Sequence, residues 1–382
     1  MVVNKSEIIP LPLWNKDFSF INKPFLIAGP CSAESEKQLL DTAQKIKEQN
    51  IDNIIYFRAG LWKPRTRPDS FHGVGERGID WLVKVRNKFG FKIITEAATP
   101  QHLEMLLKAG IDAIWVGART TVNPFSVQEL AEALKGVDIP VFIKNPINPD
   151  IELWIGAIER INKAGIKKIA AIHRGFSSYE KSNYRNVPQW QIPIDLKTYI
   201  PELTILCDPS HISGNAKYIF EISQQAMDLA FDGLMIETHI NPQMALSDAK
   251  QQITPTQLSG ILAKLIIRHP NSIEPKSQYE LSELRRKIDM IDDTLLNSLE
   301  QRLKLVKQIG KIKQENDITI LQSERWKEII TKILNNSEKK ALNKDFVIKI
   351  FKFIHQESIK TQAQIMNKKV LNKSSENSSD KQ

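Results

Sequence analysis

Cysteine is nearly absent. The 382 residues hold two, Cys31 and Cys207. So few in so long a chain exclude a disulfide framework and point to a reducing compartment, so a cytoplasmic location is expected. No apolar run approaches the roughly 18 residues of a membrane span. The opening MVVNKSEIIPLP lacks the charged-then-apolar layout of a secretory signal, so no membrane partner is expected. There is also no basic block interleaved with aromatics. The net charge of +9 therefore does not read as a nucleic-acid surface. Arginines and lysines scattered among loops fit an enzyme for small anions better. With a first strand near residue 25, no separate N-terminal regulatory domain is expected.

Short apolar runs are plentiful, and they recur with one rhythm. FLIAGPCS (25–32), NIIYFRAG (53–60), FKIITEA (91–97), AIWVGAR (113–119), PVFIKNP (140–146), KIAAIHRG (168–175), LTILCDPSH (203–211) and GLMIETH (233–239) alternate with amphipathic stretches. Continuous apolar strands separated by helices mean a parallel sheet covered on both faces. Eight such units in about 250 residues predict an α/β fold, a (β/α)8 TIM barrel, over residues 1–268. Chemistry then belongs at the C-terminal strand ends. Those ends carry Cys31, Arg58, Glu96, Arg119, Lys144, Arg174, Asp208, His211 and Glu237.

Residues 269–279, HPNSIEPKSQY, read as a polar linker. A small all-α domain follows over 280–366. Leu281, Leu284, Ile288, Ile291, Leu295, Leu299, Leu303 and Val306 recur every three or four positions, which predicts one long helix needing a partner. Shorter helices are expected over 323–334 and 343–366. Residues 367–382 are low in apolar side chains and read as a disordered tail.

Cys31, His211, Glu237 and Asp248 form a plausible mixed ligand set for a divalent transition metal. The thiolate and imidazole favour softer ions, and the carboxylates widen the choice to Mn²⁺, Fe²⁺, Co²⁺ or Zn²⁺. Strands 1, 7 and 8 are neighbours in a closed barrel, which is what would bring these residues together. Alternation along strand 7 turns Cys207 to the opposite side, as a core thiol. The cations Arg58, Lys63, Arg65, Arg119, Lys144 and Arg174 call for phosphate and carboxylate. So many suggest two phosphorylated substrates, or one that also carries a carboxylate.

The motifs GPCSAES, KPRTRPDSFHG, GAR, HRG, DPSH and ETHINPQMALSD, taken together, resemble the shorter-chain 3-deoxy-D-arabino-heptulosonate 7-phosphate (DAHP) synthases. These are related to the 3-deoxy-octulosonate 8-phosphate synthases. The resemblance covers residues 20–268. It implies condensation of phosphoenolpyruvate with erythrose 4-phosphate, the entry to the shikimate pathway and aromatic amino acid biosynthesis. Cys31, His211, Glu237 and Asp248 would then hold the metal, with Mn²⁺ the first choice. Arg58, Lys63, Arg119, Lys144 and Arg174 would hold phosphoenolpyruvate, and Arg65 and Thr66 the aldose phosphate. Lys63, Glu96 and Lys144 are the catalytic candidates, and Asp208 joins the substrate-binding set. His239 is expected as a hydrogen-bonded neighbour of the metal site. The loop KNPINPD departs from the KxG more usual in the subtype. The octulosonate sibling has KANR where this chain has KPRT.

In the long helix, Arg302 and Lys313 lie about three turns apart and share a face, while Arg285 sits roughly 100° away. LRRKID, Arg302, GKIK, Arg325 and the pair Ser358 and Gln362 resemble the all-helical chorismate mutases at that family's spacing. The resemblance covers residues 280–366 and implies rearrangement of chorismate to prephenate in a homodimer or higher homo-oligomer. Arg285 of one subunit and Arg302 of the other would bind the two carboxylates. Lys313 and Gln362 would meet the breaking ether bond, with Arg325 and Ser358 among the binding groups. Gln322 and Trp326 stand where the family often has acids for the substrate hydroxyl. An alternative makes this domain mainly a prephenate- or chorismate-sensing regulatory and dimerisation module.

Overall fold

The structure, a computed structural model, describes residues 8–14, 23–64, 69–179, 182–268 and 274–376, with side chains to 367. It divides into two compact units, residues 1–270 and 271–382, each described by itself.

The first unit alternates strands and helices. β1 (Phe25–Gly29) leads to α1 (Glu36–Glu48), β2 (Ile54–Arg58) to α2 (Arg77–Phe89), and β3 (Ile93–Glu96) to α3 (Pro100–Lys108). β4 (Ala113–Val116) is followed by the short α4 (Ala118–Thr121) and α5 (Pro124–Ala133), and β5 (Val141–Lys144) by α6 (Ile151–Lys163). β6 (Ile169–His173) precedes α7 (Gln191–Tyr199), and β7 (Thr204–Cys207) precedes α8 (Pro209–Ser213) and α9 (Ile219–Asp228). β8 (Gly233–Glu237) and α10 (Pro255–Lys264) complete the unit. The eight strands are parallel and close in sequence order, β1 pairing with both β2 and β8. The expected TIM barrel is therefore present.

Strand alternation sorts the apolar residues into two layers. Ile27, Tyr56, Ile94, Trp115, Phe142, Ile172, Leu206 and Met235 fill the barrel interior. Leu26, Phe57, Ile93, Ile114, Ile143, Ala171, Ile205 and Leu234 face the helices. Cys207 belongs to that outer layer and is buried, in line with its expected place in the core. Leu11 closes the N-terminal end of the barrel. Its N–H donates to Thr204 Oγ1 at 3.0 Å, and Trp14 meets Phe142 edge-on at 5.5 Å. The opposite end is left as the mouth. There Ser35, Thr99, Asn123, Asp150, Asp208 and Thr254 cap the following helices, each accepting a backbone N–H. Such caps are each worth about 1 kcal/mol and turn the chain sharply at the strand ends.

The second unit is helical: α11 (Pro275–Glu315), α12 (Ser323–Lys339) and α13 (Lys344–Glu376). Val306, Gly310 and Lys313 are the buried positions of α11. Gly310 packs on Gln362, and Gln314 Nε2 donates to the carbonyls of Ile365 and Met366. Leu284, Ile288 and Ile291, in the first half of α11, are 55–60% exposed in the single chain. α11 starts inside the segment expected as linker, because Pro275 sits at a helix start, where its missing N–H costs nothing. α13 runs past the expected end at 366 into the segment expected as a tail, since NKKVLNKSSE contains neither Gly nor Pro to stop it. Among the described residues, no helix is long and apolar enough to cross a membrane.

Candidate functional site

The barrel mouth holds a cavity of about 310 Å³. Lys63, Glu96, Arg119, Lys144, Arg174, Arg185, Asn186, His211 and Asp248 line it, with the Gly117 and Ser177 backbone regions between them. A larger groove of about 420 Å³ between α5 and α6 carries no comparable convergence of strand-end groups.

Each strand end contributes through its inward position. β2 delivers Arg58, whose Nη2 donates to Glu237 Oε1 at 3.1 Å, both side chains being fully buried. Glu237, at the end of β8, also accepts from Gln251 Nε2 at 2.7 Å, and its N–H donates to Ser210 Oγ at 2.9 Å. β5 delivers Lys144, which donates to Asp208 Oδ2 at 2.8 Å. β6 leads to Arg174, whose guanidinium donates to Asn186 Oδ1 at 2.9 Å and whose backbone N–H donates to the Asn145 side-chain Oδ1 at 2.7 Å. Asn145 also donates to Gly175 O at 2.9 Å, so this chain's KNP segment ties the ends of β5 and β6 together. Lys63 donates to Cys31 Sγ at 3.1 Å.

Burial and charge set the protonation states. Burial, then Glu237, pushes the Cys31 thiol up to about 12. Burial also opposes ionisation of Asp248, Asp208 and Glu237, yet all three carboxyls are held below their ordinary values. Arg185, His211 and Lys63 do this at Asp248; His211, Lys144 and Arg58 at Asp208; and His211, Arg58 and Lys63 at Glu237. Burial lowers Lys144 and His211, with Asp208 opposing both shifts, and lowers Arg174 to about 10.

The expected metal donors meet in pairs. Cys31 Sγ lies 3.4 Å from Asp248 Oδ2, and His211 Nε2 lies 3.7 Å from Glu237 Oε1. Both separations match neighbouring ligands on one ion whose bonds are about 2.0–2.3 Å. His211 Nδ1 is 2.8 Å from Asp208 Oδ2, although off the line of a good hydrogen bond. That arrangement orients the imidazole as a second carboxylate does in many metal sites. Among the described residues, no three of these groups already form a closed cage. The donor chemistry therefore fits a divalent ion.

Of the other expected residues, Arg65 and Thr66 lie outside the described residues. His239 accepts from Asn241 N–H at 2.9 Å and stands 3.5 Å from Glu34, which also accepts from Leu246 N–H at 2.8 Å. Arg185, Asn186 and Gln251 were missed: they come from loops, with no strand end to flag them. Arg185 donates to Asp248 Oδ1 at 3.0 Å and to Gln251 Oε1 at 2.9 Å. Trp115 was missed as well, hidden in an apolar run.

In the helical unit, Arg302 Nη1 donates to Ser358 Oγ at 2.5 Å, and Gln362 Nε2 to Ser358 O at 3.3 Å. Gln362 Oε1 is buried without a partner among the described residues. Lys313, also buried, donates to Ile320 O at 2.6 Å. Arg325 does not join this group within one chain; it is exposed and donates to Glu328 at 2.8 Å. Arg285 is exposed too. Trp326 stacks on His355, with centroids 4.0 Å apart and planes 12° from parallel.

A parallel (β/α)8 barrel whose mouth gathers anion-binding cations around a thiol, an imidazole and carboxylates defines an enzyme of the phosphate-handling barrel class. Residues 21–267 match the family described as "DAHP synthetase I family", and the chain belongs to that family. Residues 284–363 match "Chorismate mutase type II". The phospho-2-dehydro-3-deoxyheptonate aldolase of Thermotoga maritima is 33% identical over 228 residues, which is 60% of this chain and 64% of that protein. The 2-dehydro-3-deoxyphosphooctonate aldolase of Wolinella succinogenes is 26% identical, over 63% of this chain and 97% of its own length. A crystal structure of the Thermotoga maritima DAHP synthase superposes with a TM-score of 0.58 at 27% identity, covering 69% of this chain and 76% of that one.

Proposed function

We propose that the barrel condenses phosphoenolpyruvate with erythrose 4-phosphate and water to give DAHP and phosphate, and that the helical unit rearranges chorismate to prephenate. The first half rests on one observation above the others: Arg119, Lys144, Arg174 and Lys63 share one cavity with Glu96, His211 and Asp248. A cavity with that charge recognises a small molecule carrying both phosphate and carboxylate. A divalent ion held by Cys31, His211, Glu237 and Asp248, with Mn²⁺ the first choice, supplies Lewis-acid polarisation of the aldehyde oxygen when bound.

The remaining work falls to the chain's own groups. Arg119, Lys144 and Arg174 grip phosphoenolpyruvate and hold its C3 toward the aldehyde carbon of the second substrate. Bond formation there leaves positive character at C2, which the Glu96 carboxylate stabilises. Water adds at C2 while one of its protons passes to the former aldehyde oxygen, and in the resulting phosphohemiketal the C2–O bond to phosphate breaks as the C2 hydroxyl loses its proton and becomes the ketone. Lys144, hydrogen-bonded to Asp208, donates to the departing phosphate. Lys63 neutralises charge beside Cys31. The KPRT sequence favours the four-carbon aldose over the five-carbon one of the octulosonate relatives.

In the helical unit, Arg302 binds a carboxylate, and Lys313 with Gln362 meets the ether oxygen. No acid, base or metal is required, because preorganised charge and a compact bound conformer lower the barrier. Arg285 reaches this group from a second copy, so a homodimer carries shared sites in the cytoplasm. A second reading, in which the unit chiefly senses chorismate or prephenate, draws on Arg325 standing apart from the cluster in a single chain. Incubation with both phosphates and added Mn²⁺ should yield a seven-carbon phosphorylated product. No product, or an eight-carbon product from arabinose 5-phosphate only, would overturn the barrel reading. Chorismate consumption tests the helical unit, and binding without turnover would favour the sensor.

A further inference from the structure

Trp115 occupies the floor of the mouth and is 1% exposed. Its ring carries two cations. Arg58 Cζ lies 5.0 Å from the ring centroid, and Lys144 Nζ lies 5.6 Å away. Its Nε1–H donates to Glu96 Oε2 at 2.9 Å. Register explains the arrangement. Trp115 pairs with Glu96 on β3 and with Phe142 on β5, so its side chain enters the barrel between the strands that carry Glu96 and Lys144. Glu96 is confined from the other side by Gly117, where an added Cβ would meet Oε1 at 2.2 Å. The carboxylate is thus held between an indole N–H and a bare backbone.

Two like charges sharing a dry barrel floor repel one another, and the electron-rich ring face offsets part of that cost. Their carboxylates are separate, Glu237 for Arg58 and Asp208 for Lys144. The Trp115 side chain thus touches both cations and Glu96.

Building on the barrel reading above, we propose that Trp115 is a positioning residue with two separable tasks: its ring seats Arg58 and Lys144 for the anionic substrate, and its N–H aims Glu96 at the reacting carbon. Phenylalanine would keep a ring and lose the donor, whereas leucine would lose both. The test uses the full chain with Mn²⁺ and steady-state kinetics on phosphoenolpyruvate. Trp115→Phe should lower kcat about tenfold while KM for phosphoenolpyruvate stays within about twofold. Trp115→Leu should add a rise in that KM of about tenfold or more. In a Glu96→Gln background the kcat effect of Trp115→Phe should largely disappear, because its route through Glu96 is already gone. General loosening of the barrel would instead persist in that background and act on both parameters in both variants. An undiminished Trp115→Phe effect beside Glu96→Gln, or an unchanged phosphoenolpyruvate KM in Trp115→Leu, would overturn the proposal. Should Trp115→Leu fail to fold, the Trp115→Phe and Glu96→Gln cycle decides alone. Wild-type protein that binds phosphoenolpyruvate but forms no seven-carbon product would sink the barrel reading, not the ring's task, which phosphoenolpyruvate affinity in the Leu variant still tests.

Discussion

In the barrel, the buried cations Arg58 and Lys144 each meet an acid, Glu237 and Asp208, and the more exposed Arg185 meets Asp248, while Arg174 is held by Asn186. In the helical unit, the contacts among the described residues are neutral: Arg302 donates to the Ser358 hydroxyl and Lys313 to the Ile320 carbonyl. Desolvating a cation without a counter-charge is costly, and neutral acceptors recover part of that cost. Arg58 and Lys144 therefore have their counter-charges within one chain. On the reading proposed above, an entering dicarboxylate would supply the counter-charge that the helical site lacks in these contacts.

The largest expected effect falls on the barrel. Chelation should reduce DAHP synthesis to background, and added Mn²⁺ should restore it. Cys31→Ala should give the same loss in protein that still melts normally, because a ligand at a strand end contributes little packing. Chorismate turnover should not change in either case. Full synthase activity in a strong chelator would end the metal proposal, and loss of both activities together would contradict the contrast between the units.

Next comes Lys313→Ala. Chorismate turnover should fall at least about a hundredfold, the scale of one preorganised donor. The synthase should be untouched. Equal loss of both activities at unchanged stability would mean that the two units are coupled or that Lys313 is misplaced.

Much of this contrast was legible in the sequence. Eight apolar runs at even spacing could hardly form anything but a closed parallel barrel, and the barrel then chose which polar residues meet. Residues at strand ends, such as Arg58, Lys144 and Glu237, were readable because one periodicity fixed both their depth and their direction. Arg185 and Gln251 were not, since they reach the mouth from loops whose path no periodicity specifies. Trp115 was hidden for the opposite reason: within AIWV it looks like ordinary core, and only the register reveals the charges on its ring. In the helices, spacing alone put Arg302 and Lys313 on one face. For Arg285 and Arg325, spacing gave no such placement, and on the reading proposed above a second copy supplies it.

A subunit-mixing experiment addresses that partner directly. The exposed stripe of Leu284, Ile288 and Ile291 calls for a second copy of α11. Arg285→Ala and Lys313→Ala, each inactive as a mutase, are mixed under exchange conditions. If sites are shared, one site of each mixed dimer collects both changes and the other neither. Statistical exchange should then return about a quarter of wild-type mutase activity, since half the dimers carry one intact site of two. No recovery, with exchange verified by a labelled subunit, would place Arg285 outside the site.

The smallest expected effect concerns acid, and again it separates the units. His173 points out of β6 into a cage of Trp154, Phe176, Trp190 and Phe231. Both ring nitrogens lack a well-formed hydrogen bond, although the Pro188 carbonyl lies close by. Burial, then Arg174, lowers its pKa to about 3. The folded barrel thus keeps this ring neutral, while the unfolded chain takes up a proton near pH 6.5. Between those values the unfolded state binds more protons, so stability rises with pH and is lost as pH falls from about 6.5 toward 3. The helical unit's His355 is half-exposed against Trp326, its pKa lowered by burial and then by Arg302, and solvent screens it. Acid should therefore loosen the barrel before the bundle. His173→Phe keeps an aromatic in the cage and removes the titration. Its unfolding free energy should fall less steeply between pH 6.5 and 4.5 than that of wild type, by on the order of 1 kcal/mol or more over that span. The slopes, not the absolute stabilities, carry the test, because the new ring also changes packing. Parallel slopes would show that the paired carboxylates of the mouth, rather than His173, govern the acid response.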